Sequence, residues 1–255
     1  MTKLAAQLYT VREYTKTEED FEATLKKLSE IGYEAVQVSA IGPIAPERVA
    51  DISQKYNMTI CATHVPLSRI VDDTDALIEE HKLYGCHYIG LGAMPQEGRE
   101  NLTAMREMLG KLRDAAKKIK EAGLQFVYHN HAFEFQKVED NMNLFDVMEE
   151  VDPEGYIGLL MDTYWVQFGG ADPAEFIDKY ARRIEVIHLK DMQVIEGKPT
   201  MAEIGVGNMN FKRIIDHAEK IGAVWYPVEQ DVCLRNPFES LEISYKYCKE
   251  VLGIQ

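Results

Sequence analysis

Four times in this chain an amphipathic segment runs into a glycine and then into a short apolar stretch: Leu28 to Val36, Lys82 to Ile89, Lys120 to Val127 and Glu219 to Trp225. Glycine accepts the left-handed conformation that closes a helix, so each copy reads as a helix end feeding a strand. Asp172-Pro173 and Asn236-Pro237 mark the opposite event, a capping side chain with proline in the first helical turn. These signals place strands near 4–9, 35–39, 59–64, 87–92, 124–130, 156–162, 184–189 and 224–229. Helical periodicity is most regular over 18–31, 73–84, 102–122 and 210–221, and a last helix is expected over 238–251. Strict alternation of strand and helix demands a parallel sheet, and eight such units close most naturally into a single (β/α)8 TIM barrel over residues 1–255. A doubly wound open sheet is the competing architecture, but no Gly-x-Gly-x-x-Gly follows the first strand.

Charge narrows the partners. Forty-two acidic residues against 28 basic ones give a net charge of -14, which repels phosphate backbones and anionic membranes. The densest basic stretch, Lys111 to Lys120, falls inside a helical pattern and reads as a solvated face. Cys61, Cys86, Cys233 and Cys248 are scattered without a Cys-x-x-Cys pair. The opening Met1 to Gln7 is too short in apolar run for a signal peptide, and no transmembrane span is evident. The expectation is a reduced, cytoplasmic protein that takes neither nucleic acid nor membrane as partner, with homo-oligomer formation left open.

Chemistry is concentrated where strands stop. Met161-Asp162, Ile187-His188-Leu189-Lys190-Asp191 and Val228-Glu229-Gln230-Asp231 each end an apolar run in ionisable groups. In a parallel barrel these ends converge on one site. Two carboxylates and an imidazole from Asp162, His188 and Glu229 suit Mn, Co, Zn or Fe, whereas all-oxygen cages suit Ca and Mg. The fifth strand ends in His129-Asn130-His131, with Glu134 just beyond, and period-two alternation puts His129 and His131 on one face. Five further residues sit near the same ends. His64 points into the barrel mouth or caps a loop, Lys190 is placed to hold a phosphate or oxyanion, Trp165 and Tyr9 offer an apolar wall, and Glu203 is near enough to bond a substrate hydroxyl.

Five runs together make the chain resemble the sugar phosphate isomerase/epimerase family of xylose-isomerase-like TIM barrels: Gln7 to Arg12, His129 to Phe135, Met161 to Trp165, His188 to Asp191, and Gly205-Val206-Gly207 ahead of Glu229. Relatives in that family include ketose 3-epimerases, hydroxypyruvate isomerases, inosose dehydratases and, more distantly, endonuclease IV. The resemblance implies one divalent metal held by a strand-five carboxylate, Asp162, His188 and Glu229. Here the sequence departs, with His129 closest to the strand-five position. Glu134 is expected as the fourth ligand because a carboxylate keeps the charge of the site, and His129 is its competitor, otherwise a substrate contact. His131 and Glu229 are expected to move the proton.

The expected activity is isomerisation or epimerisation of a small keto-sugar or polyol ketone through an ene-diolate, polarised by the metal. An inosose-type dehydratase is the alternative on the same site. Two further readings are a DNA-repair enzyme like endonuclease IV, which would need three zinc ions and a basic groove, and a non-catalytic sugar-binding barrel.

Overall fold

A computed structural model describes residues 3–254. Met1 and Thr2, on which part of the leader reading falls, lie outside the described residues. Eight parallel strands form one sheet: β1 (Leu4–Gln7), β2 (Ala35–Val38), β3 (Thr59–Val65), β4 (Tyr88–Leu91), β5 (Gln125–His129), β6 (Gly158–Asp162), β7 (Ile184–His188) and β10 (Tyr226–Val228). Their order is β10-β1-β2-β3-β4-β5-β6-β7. Parallel bridges Val186 to Trp225 and Leu189 to Val228 bring β7 back to β10, so the sheet is a nearly closed barrel. β8 (Asp191–Ile195) and β9 (Lys198–Ala202) stand apart as an antiparallel hairpin, between the strand expected near 184–189 and the helix expected over 210–221.

The helices are α1 (Glu18–Ile31), α2 (Pro46–Lys55), α3 (Leu67–Asp72), α4 (Thr74–Tyr84), α5 (Leu102–Glu121), α6 (Leu144–Val151), α7 (Thr163–Phe168), α8 (Pro173–Lys179), α9 (Phe211–Ile221) and α10 (Pro237–Glu250). Gly32, Gly85 and Gly222 close α1, α4 and α9 in the left-handed region, at φ of 119°, 64° and 77°. Asp172 Oδ1 accepts from the Glu175 amide and Asn236 Oδ1 from the Phe238 amide, each followed by proline at the helix start. The first strand is shorter than expected, because Gln7 caps a 3-10 segment over Leu8–Tyr14. Among the described residues no helix is long and apolar enough to cross a membrane.

Two apolar layers follow from strand alternation. Residues facing the helices, such as Phe126, Tyr128, Leu159 and Ile187, join the large core between strands and helices. Ala5, Ala35, Ala62, Tyr88, Val127, Leu160 and Val186 form a second, small-residue cluster with Trp225. Inward positions recur every second residue, so the next inward layer toward the carboxyl ends is set by the sequence two residues on. That layer is Gln7, Gln37, His64, Gly90, His129, Asp162 and His188, with Glu229 just after β10. An apolar floor therefore carries a polar layer directly above it.

Candidate active site

Within this polar layer, His129, Asp162, His188 and Glu229 are all buried and each offers one ligand atom within 4.8 Å of the others. His188 Nδ1 lies 3.0 Å from Glu229 Oε2 and 3.8 Å from Asp162 Oδ2, and His129 Nε2 lies 3.4 Å from Asp162 Oδ2. Donors held at about 2.1 Å around one ion are roughly 3.0 to 3.4 Å apart in octahedral and tetrahedral arrangements. The group could therefore hold a single metal ion. The other nitrogen of each imidazole is also engaged: His188 Nε2 with Gln37 Oε1 at 2.7 Å, and His129 Nδ1 with the Gly92 carbonyl at 2.9 Å. Such outer partners fix tautomer and ring orientation.

Lys190 changes the electrostatics of the cluster. Its ammonium is fully buried and reaches Glu229 Oε2 at 2.6 Å, Asp162 Oδ2 at 2.9 Å and Asp231 Oδ2 at 3.0 Å. Three donors meet three carboxylates, which leaves no proton of Lys190 for a substrate phosphate or oxyanion. Lys190 is instead an internal counter-charge. Burial opposes ionisation of Asp162 and Glu229, yet the Lys190 charge and the neighbouring imidazoles outweigh it and hold both carboxyls well below their usual range. The His188 imidazole moves the other way: burial disfavours its charge, and Glu229 and Asp162 more than compensate. Burial and the Glu229 charge push Asp231 up.

Glu134 is placed differently from the expectation. Its Oε1 accepts from the Tyr128 hydroxyl at 2.8 Å and its Oε2 from the His131 amide at 2.7 Å, so it braces the loop after β5 and is not among the four clustered donors. Burial pushes its carboxyl up to about 7 against these hydrogen bonds. His129 takes the strand-five place in the cluster because it is inward and Tyr128, the partner of Glu134, is outward.

An open cavity of about 980 Å³ leads to the cluster, and His64, His129, His131, Glu229, Asp231 and Tyr9 reach its wall. His64 sits at 5.1 Å from His129 and 5.6 Å from His188 between ring centroids, resolving the alternatives for that residue in favour of the barrel mouth. Gly90 makes room for it: a Cβ there would come within 2.9 Å of the His64 ring. Burial drives His64 to stay neutral, helped by the nearby imidazoles, and burial pushes His131 down to about 3. Buried His64 Nε2, His131 Nδ1, Gln7 Nε2, Gln37 Nε2 and Trp165 Nε1 have no protein partner. Unsatisfied buried polar atoms gathered at one mouth are a demand for a polar ligand or water.

Trp165 lies near this group, 5.4 Å from the His131 ring between centroids and 5.6 Å from Lys190 Nζ to its ring centroid. Glu203 is elsewhere engaged: Oε1 accepts from the Ser240 hydroxyl at 2.7 Å and pairs with Arg235 Nε at 3.0 Å. Asp191, singled out with His188 by sequence, accepts the amides of Met192, Gly205, Gly207 and Met209 and so organises the turn after β9. A side chain at Gly207 would collide with that carboxylate, which accounts for the glycine. Gln37 and Asp231 were given no role by sequence reasoning.

A parallel eight-stranded barrel with ionisable residues at the carboxyl ends of its strands defines a TIM-barrel protein with an enzyme-like site. The family described as Xylose isomerase-like TIM barrel matches residues 25–232, and the chain belongs to it. A sugar phosphate isomerase/epimerase from Parabacteroides distasonis superimposes with a TM-score of 0.84 at 23% identity, each chain covered in full. An L-ribulose 3-epimerase gives a TM-score of 0.76 at 16% identity, covering 99% of this chain and 95% of the other. In sequence, an inosose dehydratase of Clostridium beijerinckii is 30% identical over 153 residues, 52% of this chain and 50% of the relative. One from Geobacillus kaustophilus is 28% identical over 193 residues, 66% of this chain and 61% of the relative. The match thus spans about half to three-fifths of these curated relatives, which are enzymes.

Proposed function

We propose that this chain is a divalent-metal-dependent enzyme that moves a proton beside the ketone of a keto-sugar or keto-polyol, with His129, Asp162, His188 and Glu229 as the metal ligands. The charge of the cluster carries this reading. Asp162, Glu229 and Asp231 set three carboxylates against the single ammonium of Lys190. With His188 neutral, as a metal-bound imidazole is, two negative charges remain, which is the deficit one divalent ion fills, and buried charge left uncompensated is costly. Bound there, such an ion supplies Lewis-acid polarisation of a ketone oxygen.

The remaining work belongs to the chain. Glu229 is ionised and reaches the cavity wall, so it is the group placed to take the proton. His131, held neutral by burial, serves as a hydrogen-bonding group with its unpaired Nδ1 toward substrate oxygen. His64 plays the same part from β3, and Trp165 offers a free indole N–H. Lys190 holds Glu229 and Asp162 in place through Oε2 and Oδ2.

Returning the proton to the neighbouring carbon isomerises, returning it to the opposite face epimerises, and expelling a β-hydroxyl dehydrates. Isomerisation or epimerisation is the leading reading, supported by the likeness to the epimerase fold. Dehydration of an inosose is the second, and the sequence relatives support it. A three-zinc DNA-repair site is not supported, since among the described residues one four-residue donor group is present and the net charge is -14. The test is uptake of solvent deuterium by ketoses and inososes incubated with metal-loaded protein. Glu229→Gln is expected to keep the fold and abolish that uptake, and full uptake in the variant would refute the assignment of the base.

A further inference from the structure

The cavity over the cluster is larger than a lone keto-polyol requires. It measures about 980 Å³, whereas a six-carbon polyol fills on the order of 200 Å³ at protein-like packing density. The surplus has a definite chemistry. The loop after β2 lines it with Ile41, Pro43 and Ile44, and the passage from the end of β3 into α3 with Val65, Pro66 and Leu67. In the strand order, β2 and β3 stand across the barrel from β6 and β7, so this apolar shelf faces the ionic cluster over the mouth. His64, at the end of β3, stands between the two halves.

Ile41, Ile44, Val65 and Leu67 pack against the core on one side and keep part of their surface open on the other. Nothing on this wall favours a phosphate. Among the described residues the only lysine or arginine lining the cavity is Arg69, and it is held by Asp73 at 2.9 Å and Glu80 at 3.2 Å. Apolar surface beside a polar anchor is the usual composition of a small-molecule site, with the polar groups fixing orientation.

We propose that the substrate is a keto-sugar carrying an apolar, ring-sized substituent, as in an aryl glycoside, with the polar ring at the cluster and the substituent on the shelf of Ile41, Ile44, Val65 and Leu67. The placement of the polar ring rests on the function proposed above. The shelf is a separate contributor to binding, readable with compounds that do not react.

The experiment is calorimetric titration of metal-loaded protein with matched methyl and phenyl glycosides of glucose, galactose and xylose. At least one phenyl compound is expected to bind about tenfold or more tightly than its methyl partner, a difference of roughly 1.4 kcal/mol. In the Ile44→Asn, Leu67→Asn double variant that advantage is expected to vanish while the methyl compound binds as before. Leu67→Ser alone carries the comparison if the double variant does not fold by circular dichroism. Equal affinity of methyl and phenyl partners in every pair, binding of none of them, or an advantage that survives in the folded variant overturns the proposal. A protein that shows the phenyl advantage but no deuterium uptake with any keto compound keeps the shelf and loses the proposed reaction, so the two failures are distinct.

Discussion

Replacing Lys190 by methionine keeps the length of the side chain and removes the one ammonium that Asp162, Glu229 and Asp231 share. The Asp162 and Glu229 side chains are 0% and 4% exposed, so water cannot take over the neutralisation. Breaking a buried ion pair by removing one partner costs about 3–5 kcal/mol. The lower end applies, about 3 kcal/mol, because His188 is already biased toward its charged form by the same carboxylates and takes up part of the deficit. For a chain of this size that corresponds to a fall of roughly 6–12 °C in Tm. The pH dependence is fixed by sign. Asp162 and Glu229 have folded-state pKa values below their unfolded ones, so the stability they owe to Lys190 is present above about pH 4 and is lost as the pH falls through the depressed native values. The gap between wild type and variant is therefore expected to be full at pH 7.5 and to narrow only in acid. Urea unfolding and thermal melts of chelator-treated protein between pH 3 and 8 measure it. A variant as stable as wild type at pH 7.5, or a gap that widens in acid, refutes this account of the cluster.

Two further predictions come from the residues around the donors. Glu134 has a folded pKa of about 7, above its unfolded value, so it stabilises the native state relative to the unfolded chain least once ionised, and wild-type stability carries a penalty that grows as the pH rises from about 4 to 7. Glu134→Gln removes that titration: relative to wild type it is expected to gain about 3 kcal/mol between pH 4 and pH 8 in urea unfolding, and no gain contradicts burial as the cause of the raised pKa. Gln37→Leu strips His188 Nε2 of its acceptor, and divalent-metal affinity measured by titration is expected to drop about 10- to 100-fold with the fold intact. Unchanged affinity would show that His188 is not oriented through Gln37.

The barrel was legible because its punctuation is local. Glycine after a helix and Asx-Pro before one are decided by backbone sterics within a few residues, and these caps form where the sequence places them. The β8–β9 hairpin was not legible, because its turn puts Glu196 and Gly197 at φ of 51° and 76°, and glutamate is a weak signal for a left-handed position where Asn or Asp is usual. Asp162, His188 and Glu229 stood out as charge at the end of apolar strands. Glu134 misled for the same reason: its charge suggested a ligand, while its actual partners are an outward tyrosine and a backbone amide that only folding brings to it. The signal that separates it from His129 was in the sequence as strand alternation, since Tyr128 and His129 must face opposite ways. The same period-two rule, applied upward from Ala5 and Ala35, points to Gln7 and Gln37. As uncharged amides they did not draw notice.

The most direct test of the central claim is the metal content of the protein purified without chelator and of the same protein dialysed against Mn, Co, Zn or Fe. One divalent ion per chain, absent from an Asp162→Ala, His188→Ala double variant and retained in Glu134→Gln, is the predicted result. No bound ion in wild type under any of these conditions, or an ion lost with Glu134 and kept without Asp162 and His188, would contradict it.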